Sequence, residues 1–349
     1  MSSVTLTGVG ADARLAWRDA LRVDRDALVS QTPDWMDCVC ASGRYDDATR
    51  AYRTADGHHL VLPLARRRLP GIPAVAASMP FGWGTGGLVS SRGHVLGDDV
   101  AAVLAEVVAQ RALVFGVRPC PATAPVWADS VPESVTQTRH MTQSVDLTGG
   151  FDVVWRRVAA TVRSHCRKAE RKGVTVERDD TGRLVAVFDA LYRTSVDRWA
   201  HQQHEPLWLA RWRACRRDPP EKFQTVARLL GPRCRVWVAW RGGAPLAALV
   251  ILIHGQHASM WRGAMDAAAS RGTGATELLH RSAIAEACAE GRRFYHLGDS
   301  APSSALAHTK RKLGANDLHY SGYRFERVPL TAAERVLRAQ VKRVIGFRD

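Results

Sequence analysis

The sequence predicts a mixed α/β (α+β) protein of two tandem domains, each a mostly antiparallel sheet flanked by helices. Three observations predict it. The chain has 349 residues, more than one ordinary hydrophobic core serves. Short strand and helix patterns alternate through both halves in a similar order. Residues 256–314 read as strand, Gly-containing turn, helix, strand and helix, a βαβα unit whose turn opens a helix. Amides in such a turn lack helical partners and can meet an anion.

Composition narrows the class. The chain is 46% hydrophobic and 24% charged, as expected of a soluble globular protein. No apolar run is long enough to span a bilayer, and the first thirty residues contain no signal-peptide core. Seven scattered cysteines argue against a disulfide framework, and a cytoplasmic protein is expected. The 49 Lys and Arg against 34 Asp and Glu leave a formal charge of +15, which favours anionic partners such as nucleic acid or a phosphorylated substrate.

In chain order, residues 4–6 begin a strand and residues 15–28 hold an amphipathic piece. Thr32-Pro33-Asp34 starts a helix, with Pro near its first position. Strands at 48–54 and 59–65 flank Asp56-Gly57, a hairpin signal. The loop from Ser78 to Gly87 carries four glycines around Phe81 and Trp83; it reads either as a place where a ligand meets the backbone or as a plain crossover. A helix at 98–110 and a strand at 113–117 follow. Residues 119–135, interrupted by Pro119, Pro121 and Pro125, read as loop, and a strand resumes at 141–147.

The texture changes at Gly149-Gly150, giving domains at 1–149 and 150–330 and a final basic helix at 331–349. Trp155, Val158, Ala159, Val162, Cys166 and Ala169 recur at helical spacing, while Arg156, Arg163, Arg167 and Arg171 fall on another face with Lys168 beside them. That face reads as phosphate-contacting rather than merely solvated, and Gly173 ends the helix. Helices at 183–201, 207–213 and 221–230 precede three consecutive, antiparallel strands at 235–240, 246–254 and 257–264. His201, His204 and Glu205 stand before Pro206, which breaks the helical spacing a metal site there needs, so no metal is assigned. A helix at 276–290 crosses to a strand at 294–297, and a strand at 318–326 follows.

This order of elements resembles the GNAT acyltransferase fold, and particular motifs are similar to its FemAB-like branch. They are Arg163-Ser-His-Cys-Arg-Lys-Ala-Glu-Arg-Lys-Gly173, Trp261-Arg-Gly-Ala-Met-Asp266, Phe294-Tyr-His-Leu-Gly298 and Thr309-Lys-Arg-Lys-Leu-Gly314, with Pro33-Asp34-Trp35, Leu62-Pro63-Leu64 and Pro80-Phe81-Gly82 in the first domain. The likeness covers roughly residues 30–327. It departs from the branch where His296 replaces an Asp, Asp299 a second Gly, and Thr309 and Leu313 two aromatics; Lys310 and Gly314 remain.

The resemblance implies two tandem GNAT-like domains and attack of a neutral amine on an ester or thioester carbonyl. That chemistry needs alignment, a route for the amine's proton and positive charge or N–H donors at the oxyanion. It implies Lys310, Trp261 and Asp299 as catalytic candidates, with the Lys310 ammonium facing the oxyanion. Arg163, Arg167, Lys168 and Arg171 are donor-binding candidates. Arg271, Gly272, Gly274 and Ala275 join them, being similar to the turn that binds CoA pyrophosphate in acetyltransferases. Phe81, Trp83 and Tyr295 are acceptor-binding candidates. The expected donor is aminoacyl-tRNA and the acceptor an amine on a small molecule or cell-wall precursor, with no tightly bound cofactor. Acyl-CoA is the alternative donor, and a silent nucleic-acid-binding or scaffold protein on a degenerate GNAT frame is the other reading.

Overall fold

The computed structural model describes residues 4–68, 75–109 and 112–327, with a few single residues beyond 327. The basic helix expected at 331–349 therefore falls largely outside the described residues. The chain divides into two compact units, Met1–Met141 with Leu318–Ala333, and Thr142–Asp317 with Glu334–Asp349. The texture change at Gly149-Gly150 marks the start of a helix; the units divide eight residues before Gly149, inside a strand.

The first unit runs β1 (Val4–Val9), α1 (Arg14–Val23), α2 (Pro33–Ala41), β2 (Tyr45–Asp47), β3 (Arg50–Thr54), β4 (His59–Leu62), β5 (Ala65–Arg67), β6 (Val75–Ser78), β7 (Val89–Ser90), α3 (Gly97–Ala109), β8 (Val114–Val117), α4 (Ala124–Ser130) and the start of β9 (Thr136–Asp146). One sheet has the order β1-β3-β4-β7. Thr32 starts α2 as the sequence predicts, its hydroxyl accepting from the Trp35 amide at 3.3 Å. The Asp56-Gly57 turn joins β3 to β4 antiparallel, with Gly57 at φ +87°.

Residues 119–135, read as loop, contain α4 instead. Pro121 sits in the turn before the helix and Pro125 in its first turn, where a missing N–H costs nothing. The fully buried Trp127 of α4 stacks on Tyr323 at 6.2 Å.

The second unit continues with α5 (Gly150–Arg157), α6 (Ala160–Arg171), β10 (Thr175–Asp179), α7 (Val185–Gln202), α8 (Leu207–Arg217), α9 (Pro220–Leu230), β11 (Cys234–Arg241), β12 (Ala244–His254), β13 (His257–Met265), α10 (Ala267–Ser270), α11 (Ala275–Ala289), β14 (Phe294–Asp299), α12 (Ala305–Lys312) and the start of β15 (Asn316–Glu326). The strand order is β10-β11-β12-β13-β14-β9; β10 through β13 form an antiparallel meander and β14 joins β13 in parallel after the α11 crossover. Val162, Cys166 and Ala169 of α6 and Leu279, Ala283 and Ile284 of α11 pack with Leu249 and Ile251 of β12 in this unit's core. Helical periodicity across 155–169 suggests one helix, but the chain breaks at Val158 and Ala159, where the Ala159 amide donates to the Lys312 carbonyl at 2.9 Å.

Candidate functional site

The second unit's sheet opens at β13 and β14. Their parallel pairing joins His257 to Phe294, Ala258 to Tyr295 and Ser259 to His296, and the ladder ends there although both strands continue. On the other side of β13, Val250 pairs with Arg262 and Ile251 with Met260, so Trp261 is the extra residue of a β-bulge. A bulge bends its strand and re-aims a side chain. The Trp261 ring lies edge-on to Phe223 at 5.3 Å, with the Lys222 ammonium 5.2 Å and the Arg262 guanidinium 5.1 Å from its centre.

Asp218 holds that corner together. Its buried carboxylate accepts from Arg217 and Lys222 at 2.8 Å, and from Tyr192 and Arg262 at 2.9 Å, tying α7, α8, α9 and β13. Burial opposes ionisation of Asp218, but Arg262 and Lys222 outweigh it and hold the carboxyl below its ordinary value. Burial pushes Lys222 down to about 8, against the pull of Asp218.

An open cleft of ≈ 210 Å³ lies where α6 meets the turn before α11. Lys168 and His165 line it from α6; Arg271, Gly272, Gly274 and Ala275 line it from the turn. Gly272 and Gly274 have φ of +65° and +79°. A Cβ on Gly274 would lie 2.3 Å from the His165 carbonyl oxygen, so the bare glycine lets the turn close onto α6. Lys172 clamps the same contact by donating to the Gly272 carbonyl at 3.2 Å. Glu277, in the first turn of α11, meets His165 at 2.8 Å at the rim. Two stretches singled out separately, the basic helix and the glycine turn, thus form one cleft with cations and a helix N-terminus facing it.

The basic face does not act as one block. Arg163 folds back and donates to the carbonyls of Val158, Arg156 and Trp155, capping the end of α5. Arg167 and Arg171 are exposed along α6.

Lys310 lies inside the fold, at 3% exposure. Its ammonium donates to the carbonyls of Gly298 at 2.7 Å and Asp299 at 3.0 Å, and to the Ser300 hydroxyl at 3.3 Å. Ser300 donates to Gln143, which in turn donates to Ala307 and Asp317. All three ammonium hydrogens are engaged, so in this arrangement Lys310 fixes the end of β14, where the exposed Asp299 stands. Burial pushes Lys310 down to about 8, and Asp299 opposes the shift.

Tyr295 is fully buried, its hydroxyl on His280 Nδ1 at 3.0 Å, so its ring belongs to the core. Burial, with Lys310 nearby, pushes His280 down to about 4. His296, where the branch has Asp, meets His257 at 2.9 Å; burial and that neighbour push it down to about 3. Neither His280 nor Asp218 stands in a recognisable motif, so sequence patterns gave no reason to single them out.

In the first unit, Phe81 is 79% exposed, whereas Trp83 is buried edge-on to Trp35 at 5.6 Å. The glycine-rich loop closes on its own unit: a Cβ on Gly86 would meet the Ser78 hydroxyl oxygen at 2.4 Å, and one on Gly84 the Ser30 Cβ at 2.8 Å. Gly84 and Gly86 thus serve close chain packing within the unit.

Residues 156–304 match the family described as Acetyltransferase (GNAT) domain. No curated protein sequence matches at a significant level. Among solved structures, FemX aligns at TM-score 0.62 and 12% identity, over 89% of this chain and 95% of that one. A tandem GNAT protein from the clavulanic acid biosynthesis pathway aligns at 0.52 and 12%, over 94% and 99%. The C-terminal domain of a protein named as a lysylphosphatidylglycerol synthetase, from Agrobacterium fabrum, aligns at 0.52 and 14%, over 94% and 96%. The match, the βαβα order and the opened sheet agree: residues 156–304 form a GNAT acyltransferase domain, and the chain shares its fold with FemX and with the tandem GNAT protein.

Proposed function

We propose that this acyltransferase moves an aminoacyl group from aminoacyl-tRNA to the amine of a small-molecule or cell-wall-precursor acceptor. The observation that carries the reading is the meeting of Lys168 with the Arg271–Ala275 turn in one cleft, beside the exposed Arg167, Arg171 and Lys172. A polyanion longer than one pyrophosphate suits such a track, because each phosphate met by a cation releases counterions. The fold shared with a domain named for lysylphosphatidylglycerol synthesis is compatible with aminoacyl transfer.

The amine attacks the ester carbonyl, forming the new C–N bond; collapse breaks the C–O bond to the ribose and returns the hydroxyl. The amine's proton must leave during this exchange. We assign that acceptance to Asp299, the exposed carboxylate at the end of β14, with Lys310 as the residue that positions it. Trp261, on the bulge beside the sheet opening, is assigned to packing against the reacting groups.

The glycine turn favours a second reading, acyl-CoA as donor, with its pyrophosphate on the amides before α11 and on Arg271. Incubation of the purified protein with an amine panel and either radiolabelled aminoacyl-tRNA or acetyl-CoA separates the two. Amide formation from charged tRNA supports the proposal; amide formation from acetyl-CoA alone overturns it.

A further inference from the structure

Helix α8 carries a surface that acyl transfer leaves unexplained. Its sequence is Leu-Trp-Leu-Ala-Arg-Trp-Arg-Ala-Cys-Arg-Arg, and of its residues only Ala210 is buried. Trp208 is 71% exposed and Trp212, one turn on, 54%. At 100° per residue, Trp208, Trp212 and the exposed Cys215 fall on one stripe, with Arg211 on one flank and Arg216 on the other. Arg211 and Arg213 are held by Asp197 at 2.7 Å and Glu205 at 2.6 Å, and the Arg216 guanidinium lies 5.3 Å from the Trp212 ring centre.

Two indoles in water on one helix face lose the burial free energy that large aromatics ordinarily supply to a fold. The surrounding charge indicates what covers them. Residues 193–222 hold seven Lys and Arg against four Asp and Glu, so the neighbourhood is cationic even with its ion pairs made. An outward apolar stripe of Trp edged by Arg, on a helix lying along the surface, has the chemistry of an interfacial helix: indoles enter the headgroup boundary and the cations meet anionic lipid. Among the described residues no helix is long and apolar enough to cross a membrane, so the contact would be peripheral.

We propose that α8 docks the protein on an anionic lipid surface through Trp208 and Trp212. The helix is not a loose appendage. Arg217 at its end and Asp218 just after it join the network to Tyr192, Lys222 and Arg262, so α8 is tied to the bulged strand β13. Docking would thereby set the orientation of the acyltransferase domain to the lipid. This inference does not depend on which donor is used.

The test is co-sedimentation of the full chain with vesicles of phosphatidylcholine alone and of phosphatidylcholine containing phosphatidylglycerol. The wild type is expected to bind the anionic vesicles and to lose binding as salt rises. Trp208→Ser with Trp212→Ser should weaken that binding by about tenfold or more. The melting temperature should stay unchanged, because both rings are exposed. Failure of the wild type to bind anionic vesicles, or equal binding by the double variant, overturns the proposal. If the double variant instead loses tRNA affinity and keeps vesicle binding, α8 is a nucleic-acid surface and the lipid assignment is wrong.

Discussion

Gly274→Ala should damage the cleft through a contact that has no room to relax. The new Cβ would lie 2.3 Å from the His165 carbonyl oxygen and 2.9 Å from its carbon, both backbone atoms in the middle of α6. The residue also sits at φ +79°, where a side chain costs about 1–2 kcal/mol. Separating α6 from the turn adds an overpacking cost of about 1–3 kcal/mol. The loss should total roughly 2–5 kcal/mol, a large share of a typical domain's stability. Gly272→Ala is the control: its φ is +65°, but the nearest atom to the new Cβ is the Lys168 ammonium nitrogen at 3.9 Å. Only the conformational cost of about 1–2 kcal/mol should remain, partly offset by stiffening of the unfolded chain. Its methyl group would nevertheless stand beside Lys168 at the cleft and should weaken donor binding more than its stability loss explains. Urea denaturation followed by circular dichroism gives the stabilities, and donor titration gives the second effect. Equal stability losses at the two glycines would refute the claim that Gly274 is required by its approach to α6.

Lys310→Ala leaves the Gly298 and Asp299 carbonyls and the Ser300 hydroxyl without their donor and should cost roughly 2–4 kcal/mol together with most turnover. Lys312→Ala, at an exposed position, should change stability by about 0.5 kcal/mol or less, and matched effects in the two variants would refute the positioning role. Asp218→Ala removes the carboxylate shared by Arg217, Lys222 and Arg262 and should destabilise by about 3–5 kcal/mol in thermal unfolding, whereas an isolated surface ion pair would be nearly silent. His296 and His280 stay neutral in the fold down to about 3 and about 4, against an ordinary 6.5, so the unfolded chain binds more protons below pH 6.5. Stability therefore falls as pH drops from 6.5 towards the folded values and levels off below them; at pH 5 each histidine should already cost the fold roughly 2 kcal/mol. Denaturation midpoints at pH 7 and pH 5 measure this, and His296→Asn should reduce the difference; an undiminished difference would assign the acid sensitivity elsewhere.

Local pattern made much of the second unit legible. The three apolar runs at 235–240, 246–254 and 257–264 and the long helical run at 276–290 gave the antiparallel strands and the crossover, because periodicity is local. The break between α5 and α6 was not legible: apolar spacing runs through it, and the Ala159 amide is drawn off by Lys312, over 150 residues away. Helix α4 was hidden by prolines that helices accept in their first turn. In the cleft, Lys168 could be nominated by its place on a basic face and the Arg271–Ala275 turn by its resemblance to an acetyltransferase turn, but that they share one cleft is a tertiary fact. Arg163 shows the converse. Its charge placed it with the other cations, while the helix break gives it three carbonyls to cap. The fate of Lys310 likewise depends on the end of β14 curling over its ammonium, which no motif records.

The central claim is that Lys168 and the Arg271 turn receive the phosphates of a tRNA donor. The salt dependence of tRNA affinity, compared between the wild type and Lys168→Gln with Arg271→Gln, tests it most directly. Each lost phosphate contact should reduce the slope of log affinity against log salt by roughly 0.7–0.9. A fall of roughly 1.4–1.8 is expected for the double variant, with melting temperature unchanged. An unchanged slope, with coenzyme A binding abolished in the same variant, would contradict it and assign the cleft to an acyl-CoA donor.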